Sequence, residues 1–449
     1  MNPSTHRRPC ANSSREHGFA MVLVIGVTFL MFLFVAMAFR STNTSIGSSG
    51  GHVRFETAVH LAEQGIDQTL ARLQKDKTFV TGADCTPPCT SGHDEWARAK
   101  LASASVQTTA QGEFAVFKPI GRDVIYAAGW IPNRARAKEE RVLRAEYIFS
   151  PFTPGFGILT EGDVQIAGSA KILGTKGDLH SNGDVDIIGN SSSASGQVTA
   201  SGSYTGSPIG SPAPAGSQPR QTVPPVEPRT VYNDLSGSPN YSGSWYDLCG
   251  DGTVKSPGST PCTGSLLATP SGSETFRGWS LGGSGSQRTW STSSNIAYDG
   301  VYYVYQAHVK VTGSPGSTGV PWSTTIITEK NNGGSPCQQS YGDISMGGGA
   351  VARPFIDGLL LLAGRDLEIG GTPSQNLTGG IGVQEQFSIG GNGTINGSVI
   401  AEDRCDTVFS PSDSPVHVNR IDGSITVTYN GGLEIPLFKQ IRTTAWLEL

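Results

Sequence analysis

Three patterns of hydrophobic and polar residues follow one another along the 449-residue chain. In the first, residues 19–39 form an uncharged, mostly apolar run that ends at Arg40. A helix of this length rises about 30 Å, which is the thickness of the hydrocarbon core of a bilayer. The run therefore predicts a transmembrane helix. Arg7, Arg8 and Arg15 precede it, so the rest of the chain is expected to face away from the cytoplasm.

The second pattern has the period of an amphipathic helix. Apolar residues recur three or four positions apart at Phe55, Val59, Ala62, Ile66, Leu70 and Leu73. Joined to the apolar run, this segment predicts one N-terminal helix over residues 19–75, about 85 Å long.

The third pattern is the alternation of β-strands. Residues 113–117, 124–131 and 141–149 read as strands of a small antiparallel sheet that packs on the helix, after a polar loop at 76–110. Residues 76–154 are thus expected to form a sheet and loop region.

An internal repeat begins beyond residue 155. Three segments recur in the same order, namely 163–168 as 366–371, 185–190 as 387–392, and 196–200 as 397–401. Within each block the apolar-x-apolar strands lie about 20 residues apart, which is typical of stacked coils that share one interior. A β-sandwich is the alternative, but it would need hairpin turns every 8–12 residues or so.

The predicted fold class is therefore α+β, mainly β. It comprises a long N-terminal transmembrane helix, a small antiparallel sheet, and a right-handed parallel β-helix-like solenoid. We expect a first solenoid block at 155–206 and a second block with a C-terminal cap at 301–449. Residues 207–300 are expected to form a Pro/Gly/Ser linker and a disulfide-containing insertion.

The period of two also predicts which side chains enter the solenoid interior. They are Val164, Ile166, Val185 and Ile187 in the first block, and Leu367, Ile369, Phe387 and Ile389 in the second. Asp184 and Asp186 occupy the alternate positions and are expected to face solvent.

Composition narrows the possible functions. Charged residues make up only 15% of the chain, and the net charge is −5. Nucleic-acid binding needs clustered Lys and Arg, so a nucleic-acid partner is not expected. The 59 glycines fit many short strands and tight turns.

The seven cysteines bear on the cellular compartment. If residues 1–18 are removed, Cys10 is lost and an even six remain, as suits an oxidising compartment. Six cysteines allow 15 pairings. We predict the local pairs Cys85–Cys89 and Cys249–Cys262, which leaves Cys337 with Cys405. A zinc site at Cys85, Cys89 and His93 lacks a second ligand pair, so no metal is predicted.

The sequence contains no established catalytic motif, and we predict neither a catalytic residue nor a cofactor. Three weaker alternatives depend on single residue types. Clustered acids could serve glycoside cleavage, at Asp163, Asp184, Asp186, Asp366 and Glu368. Asp247 and Asp251 could bind calcium. A glycan could stack on Trp245, Trp279, Trp290 and Trp322, although core packing is the more common role of such residues.

The order of residues at the N-terminus carries a family resemblance. In His17-Gly18-Phe19-Ala20-Met21-Val22 the small residue precedes the apolar run, whereas in ordinary secretory signals a small-residue cleavage site follows it. This order resembles the class III signal peptides of type IV pilins. The resemblance implies that a prepilin peptidase removes the leader 1–18 by cutting between Gly18 and Phe19. Residues 58–66 are similar to the exported half of a pilin helix.

Leu23 refines the resemblance. Major pilins carry Glu at this fifth mature position, and a helix without it is similar to those of PilX-type minor pilins, in which Leu23 would lie in the filament core. The resemblance implies a non-enzymatic role in pilus assembly, initiation or tip adhesion. The implied partners are other pilins and minor pilins, the inner-membrane pilus platform, and possible surface glycans or host or abiotic surfaces. The implied location is the inner membrane, with the bulk of the chain periplasmic or extracellular.

Two other functions remain open. One is a membrane-anchored β-helix protein that binds or cleaves carbohydrate. The other is the tip pseudopilin of type II secretion, which also lacks the Glu but usually has a helical insertion.

Overall fold

The computed structural model describes residues 17–75, 79–85, 92–189, 191–270, 274–330, 340–405 and 418–449. Within these ranges it describes the backbone but not the side chains of residues 17–24, 26, 39, 41–48, 75 and 437–440. The chain forms two compact units. Unit 1 contains residues 1–148 and 441–449, and unit 2 contains residues 149–440.

The secondary structure is mainly β. The elements up to residue 206 are α1 (His17–Lys75), α2 (His93–Ser103), β1 (Val106–Thr108), β2 (Glu113–Phe117), β3 (Val124–Ile131), β4 (Glu139–Phe152), β5 (Ile158–Thr160), β6 (Val164–Ala167), β7 (Lys171–Leu173), β8 (Leu179–Ser181), β9 (Val185–Ile188), β10 (Ser193–Ala194), β11 (Val198–Ala200) and β12 (Tyr204–Gly206). They are followed by α3 (Pro228–Leu235), β13 (Trp245–Cys249), β14 (Val254–Lys255), β15 (Leu266–Ala268), β16 (Ser280–Gly282), β17 (Thr289–Thr292), β18 (Gly300–Tyr305), β19 (His308–Val311), β20 (Trp322–Glu329), β21 (Ile344–Gly348) and β22 (Val351–Arg353). The remaining elements are β23 (Leu359–Ala363), β24 (Leu367–Gly371), β25 (Asn376–Thr378), β26 (Gly380–Val383), β27 (Phe387–Gly391), β28 (Thr394–Asn396), β29 (Val399–Ala401), β30 (Asn419–Ile421), β31 (Thr426–Thr428) and β32 (Ile435–Glu448). Short 3-10 turns lie at Arg134–Arg136, Pro239–Tyr241 and Gly285–Gln287.

Unit 1 has three layers. Its five-stranded sheet has the order β1-β2-β3-β4-β32, and the pairs from β1 to β4 are antiparallel. Helix α1 packs on β2 and β3, and so does α2, whose Ala97 and Leu101 join a separate apolar cluster with β2 and β3. Because helices cover both faces, nearly every residue of β3 is buried. The sequence missed α2, which lies within the predicted polar loop.

The fold class and the location predicted from the sequence both need correction at α1. In the part of the chain that the structure describes, no helix combines the length and the apolar character of a membrane span. The transmembrane segment predicted over 19–39 and the inner-membrane anchoring by this helix are therefore wrong, and the described part of the chain is mainly β.

Unit 2 is a stack of parallel coils with three sheet faces. Face I contains β11, β8, β5, β29, β26, β23, β20, β18 and β13 in spatial order. Face II contains β12, β9, β6, β30, β27, β24, β21, β19 and β17. Face III contains β10, β7, β31, β28, β25 and β22. Antiparallel strands β14, β15 and β16 follow at the β13 and β17 end.

The two repeat blocks form one continuous stack. The chain enters between them, because β5 pairs with both β8 and β29, and β6 pairs with both β9 and β30. The first block runs outward to one end, whereas the second block runs from the opposite end back to the junction. Within the segment predicted to hold the C-terminal cap, β31 pairs with β28 and β7 inside the stack, and Trp446 belongs to unit 1.

The predicted interior register is confirmed. Val164 and Ile166 pair with Val185 and Ile187, Leu367 and Ile369 pair with Phe387 and Ile389, and all eight are buried. Asp184 is exposed and Asp186 is half-buried, both outside this apolar stack.

A strap formed by residues 218–229 crosses the coils beside face I. Its hydrogen bonds to the coils include Gln221 N to Asn182 Oδ1 (2.8 Å), Val226 N to Glu402 Oε2 (2.9 Å) and Arg229 Nε to Glu329 Oε2 (3.0 Å). The three acceptors belong to the coils of β8, β29 and β20, so the strap reaches across the junction between the blocks. Part of the segment predicted as a linker is thus an ordered tie.

Candidate functional site

The predicted processing residues lie at the beginning of α1. Gly18, Phe19 and Leu23 have helical backbone, and their side chains are outside the described residues. Cys10 is also outside them.

The first half of α1 exposes large apolar side chains on all sides. Phe32 is 74% exposed and Phe34 is 71% exposed. The others are Ile25, Val27, Phe29, Leu30, Met31, Leu33, Val35 and Met37. A soluble helix normally buries such residues along one stripe, and contiguous exposed apolar surface marks an interaction site. This half-helix, residues 25–37, is the candidate functional site and is called the apolar arm below.

The second half of α1 holds the apolar arm on unit 1 through small residues. A Cβ on Gly129 of β3 would lie 2.1 Å from the carbonyl oxygen of Ala58, and one on Gly65 would lie 2.8 Å from Val116 Cγ2. The helix and sheet backbones therefore approach closely, and Leu61, Ala62 and other apolar residues are buried between them. Fully buried side chains of the helix begin at Ala58, whereas the large apolar side chains of the arm are exposed.

The disulfides are described in part. Cys249 and Cys262 are bonded as predicted, with 13 residues of sequence separation. Cys85 and Cys405 are also disulfide-bonded. Their predicted partners, Cys89 and Cys337, lie outside the described residues, so those two pairings stay predictions.

Of the residues considered for zinc, His93 has two hydrogen-bond partners and Cys85 is disulfide-bonded, while Cys89 lies outside the described residues. His93 Nε2 lies 3.0 Å from Asp84 Oδ1, and His93 Nδ1 lies 2.7 Å from the hydroxyl of Tyr126. That hydroxyl donates to Asp94 (2.8 Å), so Asp84, His93, Tyr126 and Asp94 form one hydrogen-bonded chain. Cys85 lies nearby, but a disulfide sulfur is not the thiolate that zinc binds.

The two acids considered for calcium have protein donors. Asp247 is fully buried and accepts hydrogen bonds from the Tyr232 hydroxyl (2.8 Å), the Trp245 indole (3.2 Å) and the Cys262 amide (2.9 Å). Asp251 accepts from the amide and hydroxyl of Thr253. Asp247 thus ties the disulfide loop to β13, and burial raises its pKa to about 6 despite these hydrogen bonds.

The acids considered for glycoside cleavage connect neighbouring coils. Asp163 Oδ1 accepts from the amide of Asp184 (2.7 Å), and Asp184 Oδ1 accepts from the amide of Ser203 (2.7 Å). Asp186 accepts from Thr205, Glu368 from Ser345, and Asp366 from the amide of Gln386. Each carboxylate satisfies a group one coil away, which is a structural use of these residues.

A buried charged cluster surrounds Asp366. Arg365 Nε lies 3.2 Å from Asp366 Oδ2, 3.4 Å from Asp343 Oδ1 and 3.7 Å from Glu385 Oε2. Burial, together with the charge of Asp343, raises the pKa of Asp366 to about 8, while Arg365 opposes this shift. Asp366 and Glu385 are only 2% and 1% exposed, so a substrate cannot reach them. Sequence reasoning missed most of this cluster, although its acids recur at nearly the coil period.

The four tryptophans considered for glycan stacking belong to the interior. Trp245, Trp279, Trp290 and Trp322 are all at most 2% exposed. Trp290 donates its indole N–H to the carbonyl of Cys249 (3.0 Å), and Trp322 donates to Tyr298 (2.8 Å). They form core, not a sugar-binding surface.

Comparison with known proteins gives a distant structural likeness. No protein-family model matches the chain, and no curated protein matches it. Among solved structures, the competence-associated pilin ComZ from Thermus thermophilus is similar over 88% of this chain and 97% of that chain, with 12% sequence identity and a TM-score of 0.30. A pilin is therefore a distant structural neighbour, at a similarity too low to argue for a shared fold or function.

Proposed function

We propose that this chain is a non-enzymatic minor pilin that takes part in the assembly, initiation or tip adhesion of a type IV pilus. The observation that carries the proposal is the division of α1. Its second half is seated on an antiparallel sheet, while the apolar arm exposes hydrophobic side chains around its whole circumference. A helix that is apolar on all sides requires burial by other chains.

The helices of other pilin subunits are the proposed partners of the apolar arm. Several phenylalanines on the arm, including Phe29, Phe32 and Phe34, are 66–74% exposed and offer large contact area. Leu23 replaces the glutamate of major pilins, so the chain brings no acid into such a helix bundle. This favours a subunit present in few copies over a repeating one.

Processing provides the first test. Gly18→Leu should block cleavage by the prepilin peptidase, since a bulky residue then precedes the cut. Intact-mass analysis of exported chain should find a species beginning at N-methylated Phe19 in the wild type only. A Gly18→Leu chain that is cut and displayed normally would refute the class III assignment.

Assembly provides the second test. Phe32→Ser changes a side chain that is 74% exposed, so unit 1 should stay folded while copurification with sheared pili falls at least about tenfold. Glu56→Ala is the matched control, because Glu56 is also exposed on α1 but lies outside the apolar arm. Equal incorporation of Phe32→Ser and Glu56→Ala would argue against the arm as the assembly surface.

A further inference from the structure

Unit 1 contains a cavity of about 700 Å³. Its wall is formed by the second half of α1, the segment 79–85, α2, and the strands β1 and β2. This volume lies within the range of pockets that bind small organic molecules. The cavity is distant in sequence from the apolar arm, and the proposed function does not use it.

Among the described residues, two positive charges in the wall have no carboxylate partner. Arg72 of α1 and Lys100 of α2 both line the cavity, and no carboxylate among the described residues lies within 4.0 Å of either. Each cation instead lies near an aromatic ring, Arg72 Cζ at 5.6 Å from the centroid of Phe79 and Lys100 Nζ at 5.7 Å from that of Trp96. Such cations keep their donors available for an anion.

The carboxylate in the wall does not neutralise these cations. Asp84 forms an ion pair with Arg122, and its Oδ1 lies 3.0 Å from His93 Nε2. Burial opposes the charge of Asp84, but the hydrogen bonds from Arg122, His93 and the amide of Cys85 lower its pKa, so it stays ionised and paired. The cavity therefore presents net positive charge to a ligand.

The rest of the wall fits a ring with hydroxyl groups. Trp96 and Phe117 contact each other edge to face, with ring centroids 5.0 Å apart, and give an apolar surface. Gln68, Gln107 and Ser105 supply polar groups from different elements of the wall. Aromatic surfaces pack on the C–H faces of a pyranose, amides and hydroxyls bond its OH groups, and cations bind a carboxylate.

We propose that this cavity binds an acidic saccharide, with the carboxylate held by Arg72 and Lys100 and a sugar ring on the aromatic surface. Inorganic anions lack the ring, and neutral sugars lack the charge, so each uses only part of the wall. The inference is independent of the pilin assignment, since the cavity lies entirely in unit 1 and needs no assembled filament.

The test is isothermal titration calorimetry of the full chain with digalacturonate. Its dimethyl ester is the matched ligand, because esterification removes the charges and keeps the rings. We expect digalacturonate to bind at least about tenfold more tightly than the ester. Equal affinities, or no heat from digalacturonate, would overturn the proposal. Inorganic phosphate that binds as tightly as the saccharide would overturn the saccharide assignment.

Variants locate the binding site. Arg72→Gln and Lys100→Gln should each weaken digalacturonate binding about tenfold while the ester is unaffected. Both side chains are exposed, so these changes should not unfold unit 1. Arg98→Gln is the control, since Arg98 is an exposed cation on the same helix, α2, outside the cavity wall. An equal loss in Arg98→Gln would mean that charge anywhere on α2 suffices, and would refute the site.

Discussion

At the junction between the two solenoid blocks, the loss of stability caused by a substitution of Ile421 can be predicted. This residue of β30 is fully buried and pairs with Ile389 of β27 on one side and Ile166 of β6 on the other. Ile421→Ala removes buried methyl groups and leaves a cavity, which costs about 2–5 kcal/mol in well-packed cores. Because each coil of a solenoid contacts only its neighbours, the loss falls on the one coil that joins the blocks.

Native-state hydrogen exchange, read peptide by peptide, is the assay. A loss of about 3 kcal/mol corresponds to roughly 150-fold faster exchange of amides that open with the junction. We expect this acceleration in peptides covering residues 158–188, because the short first block is stabilised from the junction. Arg420→Ala is the control, since Arg420 is exposed on the same strand and its ion pair with Asp422 is at the surface.

Faster exchange confined to the mutated coil would contradict this prediction. If Ile421→Ala accelerates exchange only around residues 419–428, and residues 158–188 keep their protection, the first block is stable by itself. The blocks would then be two adjacent structures and not one stack.

Three further predictions concern the disulfide, a glycine and a buried acid. Replacing Cys249 and Cys262 with serine releases a link across a sequence separation of 13, so the urea midpoint should fall by the equivalent of about 3 kcal/mol. Gly129→Ala forces a methyl carbon towards the carbonyl oxygen of Ala58, 2.1 Å away, and should lower the melting temperature of unit 1 by the equivalent of about 1–3 kcal/mol. Because burial raises the pKa of Asp247 from 3.8 to about 6, the folded state holds this proton more tightly than the unfolded state. The unfolding free energy should therefore fall by about 3 kcal/mol between about pH 4 and pH 7, relative to Asp247→Asn.

Each of these has its own control. The double serine variant should match the reduced wild type, and a difference between them would contradict the disulfide explanation. Gly51→Ala is the partner of Gly129→Ala, because a Cβ at Gly51 meets no heavy atom within 4 Å, and it should not destabilise the chain. Parallel pH curves for wild type and Asp247→Asn would show that Asp247 does not titrate as its burial predicts.

Whether a strand could be predicted from the sequence depended on whether one face of its sheet is exposed to solvent. Face II has solvent on one side, so β6 and β24 alternate buried and exposed residues, and the alternation was legible from the sequence. Face I is covered on its outer side by a second apolar cluster that includes Val226 of the strap. Its strand β23 is buried throughout, and the run Leu359–Ala363 has no alternation to read.

Some features of the candidate sites could likewise be predicted from the sequence, and others could not. The apolar run over 19–39 predicted a helix, although wrongly a membrane-spanning one, and the apolar spacing from Phe55 to Leu73 predicted the amphipathic half that packs on the sheet. The cavity could not be predicted, because Arg72, Lys100 and Phe117 come from separate elements with no shared spacing. The buried cluster at Arg365 was hidden for a related reason, since its acids come from successive coils.

The sequence by itself determined the coil period, the interior register and the local Cys249–Cys262 bond, because each depends on residues close together in the chain. Only the tertiary structure decided that β30 lies between β27 and β6 and pairs with both, and that a strap connects several coils. The physical reason is that every coil of a parallel ladder presents the same alternating apolar strand to its neighbours. That pattern stabilises stacking in general and contains no information on which coil, more than 200 residues away in sequence, becomes the neighbour.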